Sequence, residues 1–183
     1  MVVSRRYVTN GQRNPRGSHE MRVKTLSKKR CAALAMTLLI GVGLTSCGFA
    51  NTSGAPPSDP YTAGMFNALN YNRIQNGLPP LTWSPKLANT AGTWAWQMAA
   101  ANNMYHQNLS ALISSPEYAG YRTMGENILV APGGMAPAQL QGLWMGSAPH
   151  RANILSGAFN IVGIGYFRGS DGRIWAVQDF GGI

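Results

Sequence analysis

Residues 161 to 180 read IVGIGYFRGSDGRIWAVQDF, and this stretch decides what kind of fold the chain adopts. Two runs rich in β-branched and aromatic residues, Ile161 to Phe167 and Arg173 to Phe180, flank Gly169-Ser170-Asp171-Gly172, the pattern of a β-hairpin. Side chains alternate along a strand, so Gly163 and Gly165 share one face of the first run while Val162, Ile164 and Tyr166 share the other. A strand face without side chains lets another element pack very close to it.

Upstream of the hairpin the periodicity turns helical. Ser58 and Asp59 followed by Pro60 supply a cap and a first-turn proline for a helix that runs to about Gln75, where Asn76-Gly77 stops it. Ser84-Pro85 opens a second helix, with Leu87, Ala91, Trp94, Ala95 and Met98 along one face. Trp96 falls off that face and is the tryptophan best placed for an exposed patch, whereas Trp83, Trp94, Trp144 and Trp175 read as core. A short strand over 126–130, a third helix over 137–145 and a short fourth over 149–155 precede the hairpin. The order predicts an α+β layered domain.

The net charge of +9 suggests a polyanionic partner until it is located along the chain. The basic residues crowd at and before Arg30. Beyond Cys47 stand Arg73, Lys86, Arg122, Arg151, Arg168 and Arg173 against Asp59, Glu117, Glu126, Asp171 and Asp179, a nearly neutral balance. The basic character belongs to the leader and argues for no nucleic-acid partner. Cys31 and Cys47 are the chain's two cysteines, so the domain after them can hold neither a disulfide nor a cysteine-based metal site.

From Met21 the chain reads MRVKTLSKKR, then CAALAMTLLIGVGL, then TSC: a basic stretch, an apolar run and small residues before a cysteine, the layout of an export signal. The apolar run is shorter than the ~20 residues that a spanning helix needs. Leu44-Thr45-Ser46-Cys47 resembles the lipobox of bacterial lipoprotein precursors. That resemblance implies a diacylated Cys47 at the mature N-terminus and stable anchoring in a membrane of the cell envelope, facing the periplasm or exterior. Residues 1–46 are then the signal peptide, within which 1–20 are a polar extension ahead of a second start at Met21. Residues 47–59 are the lipidated cysteine and a Gly/Ser/Pro tether, and residues 60–183 the folded domain.

Several separated segments carry a second resemblance. Asn72-Arg73 with Gly77-Leu78-Pro79, Leu81 and Trp83, then His106 in MYHQNL, Glu126 in GENI, His150 in SAPHRANIL, Phe159, VGIGY at 162–166 and WAVQDFG at 175–181 follow one another as in bacterial members of the CAP superfamily, the cysteine-rich secretory, antigen-5 and pathogenesis-related proteins. The resemblance implies an α-β-α sandwich around a small, mostly antiparallel sheet. It also implies an open cleft with a polar cluster of two histidines and two acids. His106, Glu126 and His150 match three of its positions; at the fourth, three residues after Trp144, stands Ser147 in place of an acid.

Two imidazoles and a carboxylate suit zinc with an open coordination position. A hydrogen-bonded structural cluster is the alternative, since no HExxH helix fixes two ligands together and no second acid is evident as a general base. Ser147 lacks the GxSxG surroundings of a serine nucleophile. Arg151 and Asn153 either line the cleft or brace the short helix. Two function classes follow. One is an envelope binding module for a lipid, cell-wall or other small hydrophobic ligand, which the absent acid favours; the other is a zinc-dependent hydrolase of an envelope or extracellular substrate.

Overall fold

A computed structural model describes residues 2–8 and 55–183; the expected export signal, Cys47 and the expected tether up to residue 54 lie outside the described residues. The elements are β1 (Val2–Val8), α1 (Pro60–Gln75), β2 (Thr82–Trp83), α2 (Pro85–Ala100), α3 (Leu109–Ser114), a 3-10 turn (Pro116–Tyr118), β3 (Thr123–Ala131), α4 (Pro137–Gly146), α5 (Ala148–Ile154), β4 (Ile161–Arg168) and β5 (Ile174–Gly182).

The helix starts are fixed by local chemistry. Asp59 Oδ2 accepts from the Thr62 N–H at 2.8 Å, and Ser84 Oγ accepts from the Leu87 N–H at 3.3 Å, each ahead of a proline that has no N–H to leave unpaired. At its far end α1 is pinned through Arg73, buried on the core side. Its guanidinium donates to the carbonyls of Pro79 at 2.9 Å, Ile154 at 2.7 Å and Ser156 at 2.9 Å, tying the α1 exit to the end of α5.

The sheet runs β1-β3-β5-β4-β2, antiparallel except for the short β2–β4 pairing. One face packs on α2: Ala91, Ala95 and Met98 meet Ile128, Trp175 and Val177. The other face packs on α1 and α4, where Met65, Leu69, Leu140 and Trp144 meet Leu129, Ala131, Ala176 and Phe180. A third cluster joins Leu87, Ile113, Tyr118 and Met124 beside α3. Among the described residues, every buried member of these clusters lies between residues 65 and 180. This is an α+β layered domain, as the sequence pattern predicts, and the α-β-α sandwich that the family resemblance implies.

The bare face of β4 is occupied by the main chain of α2. A Cβ built on Gly163 would stand 2.0 Å from the Ala88 nitrogen, and one on Gly165 would stand 2.1 Å from the Gly92 nitrogen. Trp96 is 52% exposed while Trp144 and Trp175 are buried, in line with their spacing.

Besides the 3-10 turn, three elements have no counterpart in the sequence pattern. β2 and α3 are too short for periodicity to show. β1 falls in the polar extension and pairs with β3 from Val2↔Leu129 to Val8↔Thr123. An edge strand draws on its neighbour's main chain and needs no apolar stripe of its own. No helix among the described residues is long and apolar enough to cross a membrane.

Candidate functional site

The centre of the sheet carries a row of buried polar residues. Glu126-Asn127 on β3 face Asp179-Gln178 on β5 in register, and all four are 0% exposed. Because successive side chains leave a strand on opposite sides, each pair sends one member to each face. Glu126 and Asp179 share the α2 side with Ile128 and Val177. Asn127 and Gln178 share the α4 side. Buried polar groups of this kind are tolerable only when hydrogen-bonded.

On the α2 side the partners come from the loop between α2 and α3. Nδ1 of His106 donates to Oε1 of Glu126, which also accepts from the Gln107 main-chain N–H at 3.1 Å. The Gln107 side-chain amide lies between the two acids: Nε2 donates to Glu126 Oε2 at 2.7 Å and to both Asp179 oxygens at 3.0 Å. Burial raises the Asp179 carboxyl well above the usual carboxylate range, the charge of Glu126 across the strand pair raises it further, and the Gln107 bond opposes both. Two carboxyls that share a buried site favour the protonated form of one of them, and the upward shift falls on Asp179.

On the α4 side the chain of amides runs from α5 to α1. Asn153 Nδ2 donates to Asn127 Oδ1 at 2.9 Å, Asn127 Nδ2 to Gln178 Oε1 at 3.0 Å, Gln178 Nε2 to Gln141 Oε1 at 2.8 Å and Gln141 Nε2 to Asn72 Oδ1 at 3.1 Å. His150 is buried on α5, and its carbonyl accepts from Asn127 Nδ2 at 3.2 Å. Asn153 Nδ2 also reaches the Glu126 carbonyl at 3.2 Å, so this residue ties α5 to the edge of β3. Arg151 braces the α4–α5 junction through the Met145 carbonyl at 2.9 Å. Ser147 is that junction: it ends α4 and begins α5, and its side chain caps neither.

The structure thus joins His106 directly to Glu126 and places His150 on the α5 layer against Asn127. A second acid, Asp179, shares Gln107 with Glu126 and is not among the residues picked out from the sequence, where the fourth family position, three residues after Trp144, is Ser147. Its signal was present: Glu-Asn and Gln-Asp are adjacent polar pairs inside otherwise apolar strands, which no half-buried strand requires. Gln107, next to His106, carried no comparable signal.

Among the described residues no group of three or more His, Cys, Asp or Glu side chains is placed to hold a metal ion. Both Glu126 oxygens are already engaged by His106 and Gln107. In this arrangement the set does not fit zinc.

Comparison with known proteins agrees with the geometry. Residues 66–180 match the model of the cysteine-rich secretory protein family, CAP. The chain is 32% identical over 144 residues to YkwD of Bacillus subtilis, covering 72% of this chain and 52% of that one, so it spans about half the length of this curated relative. Among solved structures, an extracellular protein containing an SCP domain from Bacillus anthracis superposes with a TM-score of 0.55 at 25% identity, covering 67% of this chain and 40% of the other. A cysteine-rich secretory protein from Staphylococcus aureus gives 0.57 at 19% identity, over 69% and 40% of the two chains. With its sandwich, its His-Glu pair and a family match across nearly the whole folded region, the chain belongs to the cysteine-rich secretory protein family, CAP.

Proposed function

We propose that this chain is an extracytoplasmic, lipid-anchored CAP domain that works as a binding module rather than as an enzyme. The observation that carries this is the internal closure of the polar cluster. Glu126 accepts from His106 and Gln107, Asp179 accepts from Gln107, and both acids are fully buried. Groups so engaged brace the α2 face of the sheet. They are not poised to activate water or to meet a substrate. The signal layout and the Leu44-Thr45-Ser46-Cys47 motif support attachment to an envelope membrane through Cys47, which leaves the domain facing away from the cytoplasm. The fold by itself does not select an activity.

One observation favours the hydrolase reading: Nε2 of His106 is buried and has no hydrogen-bond partner, as a metal ligand would before metal enters. Calorimetric titration of zinc into soluble residues 58–183, beside the His106→Ala protein, separates the two. No binding heat in the parent is expected. Tight binding that His106→Ala abolishes would overturn the binding-module reading and make a zinc site the working hypothesis.

A further inference from the structure

The outer edge of β3 runs beside the polar cluster, and its occupant is β1. Val2–Val8 lies antiparallel on it, between α3 and α5, with Arg5 opposite Glu126 and Arg6 opposite Gly125. The Arg6 guanidinium is read by α5: Nε donates to Asn153 Oδ1 at 2.6 Å and Nη2 donates to the Ala152 carbonyl. Residues 2–8 precede the export signal, so cleavage ahead of Cys47 removes them along with it. The processed domain then keeps its core but presents the main-chain groups of 123–129 to solvent. A bare sheet edge of that length is a template for another extended chain.

We propose that this edge is a peptide-binding site, which takes an extended basic segment as an added antiparallel strand with an arginine seated between Asn153 and the Ala152 carbonyl. β1 fills the site in this structure, and a chain that lacks residues 1–46 leaves it open to a peptide from another molecule. Main-chain pairing supplies most of the affinity, and the arginine seat supplies selectivity. The buried acid of Glu126, one register position away, adds electrostatic preference for basic sequences. The proposal deepens the binding-module reading by naming its ligand class. It rests on processing at Cys47 for when the site is open, not for whether the edge binds.

A labelled peptide of residues 2–10, VVSRRYVTN, titrated into residues 58–183 and followed by fluorescence anisotropy, tests it. Saturable binding is expected, with amide hydrogen exchange slowed over 123–129. Arg6→Ala in the peptide weakens binding about tenfold, the loss of a charged hydrogen-bonded contact. Paired Val3→Pro and Ser4→Pro abolish it, because one of two neighbouring N–H groups must face β3. All these changes are in the peptide, so folding of the domain is not at issue. Absence of binding, equal binding of a scrambled or proline-containing peptide, or protection elsewhere in the domain would overturn the site. The uncleaved full chain should bind the same peptide at least tenfold more weakly, since its own strand competes at high effective concentration. Equal affinity would remove β1 as the occupant. The mass of the protein extracted from membranes reports cleavage at Cys47 independently of every titration.

Discussion

Asp179 is where burial and charge oppose each other most directly. Its carboxyl is raised first by burial and then by Glu126, so the folded domain keeps a proton that the unfolded chain releases near its ordinary value of 3.8. The stability tied to this group is fully present below that unfolded value and is lost as pH rises through the folded one. Asp179→Asn removes the titration while keeping an oxygen to accept from Gln107. The expected result is a urea midpoint above the parent's at neutral pH, with a shallower decline from about pH 4 upward, where this group's linkage acts. An unchanged slope would show that the pH dependence arises elsewhere. At this scale the sequence pointed to His106 and Glu126 but not to Asp179 or Gln107. Family spacing identifies positions that the motif already contains; the polar pairs within β3 and β5 mark Asp179 as unusual, and the β3–β5 register shows that it faces Glu126.

Helices and hairpin were legible where local physics is strong. Asp59 and Ser84 cap helices whose prolines fix the first turn, and Gly163 with Gly165 announces a close neighbour for β4. The length of β3 was underestimated because Thr123-Met124-Gly125, ahead of its buried polar pair, carry no apolar run of their own. α3 and β2 were missed because elements of six and two residues display no period. Gly165→Ala puts a methyl group into the α2 main chain, where neither side has a flexible end that can yield. Overpacking of this kind costs about 3 kcal/mol, and the melting temperature should fall by roughly 10 °C. Gly157→Ala, at a position with nothing within 4 Å, is the control expected to leave it nearly unchanged. Equal effects of the two substitutions would mean that close approach is not what Gly165 supplies.

For the whole molecule, the division of charge was legible from end to end: a basic leader precedes a nearly neutral domain, so the overall pI of about 10.1 says little about what the domain meets. The proposed anchoring rests on one cysteine, Cys47. Cells fed an alkyne-bearing palmitate analogue should label the parent protein and its Cys31→Ala variant, but not Cys47→Ala. Label retained in Cys47→Ala would place the lipid elsewhere or remove it from the account. The fit of α2 on the bare strand reaches further than its own contacts. His106 and Gln107 hang from the loop that leaves α2, while Glu126 and Asp179 stand on the sheet, so one joint, closed to main-chain contact, gauges the separation of the two halves of the cluster. Backbone against backbone has no soft layer to absorb play. The domain behaves there as a hinge pin driven home, and any loosening would reach the imidazole as a lever's throw.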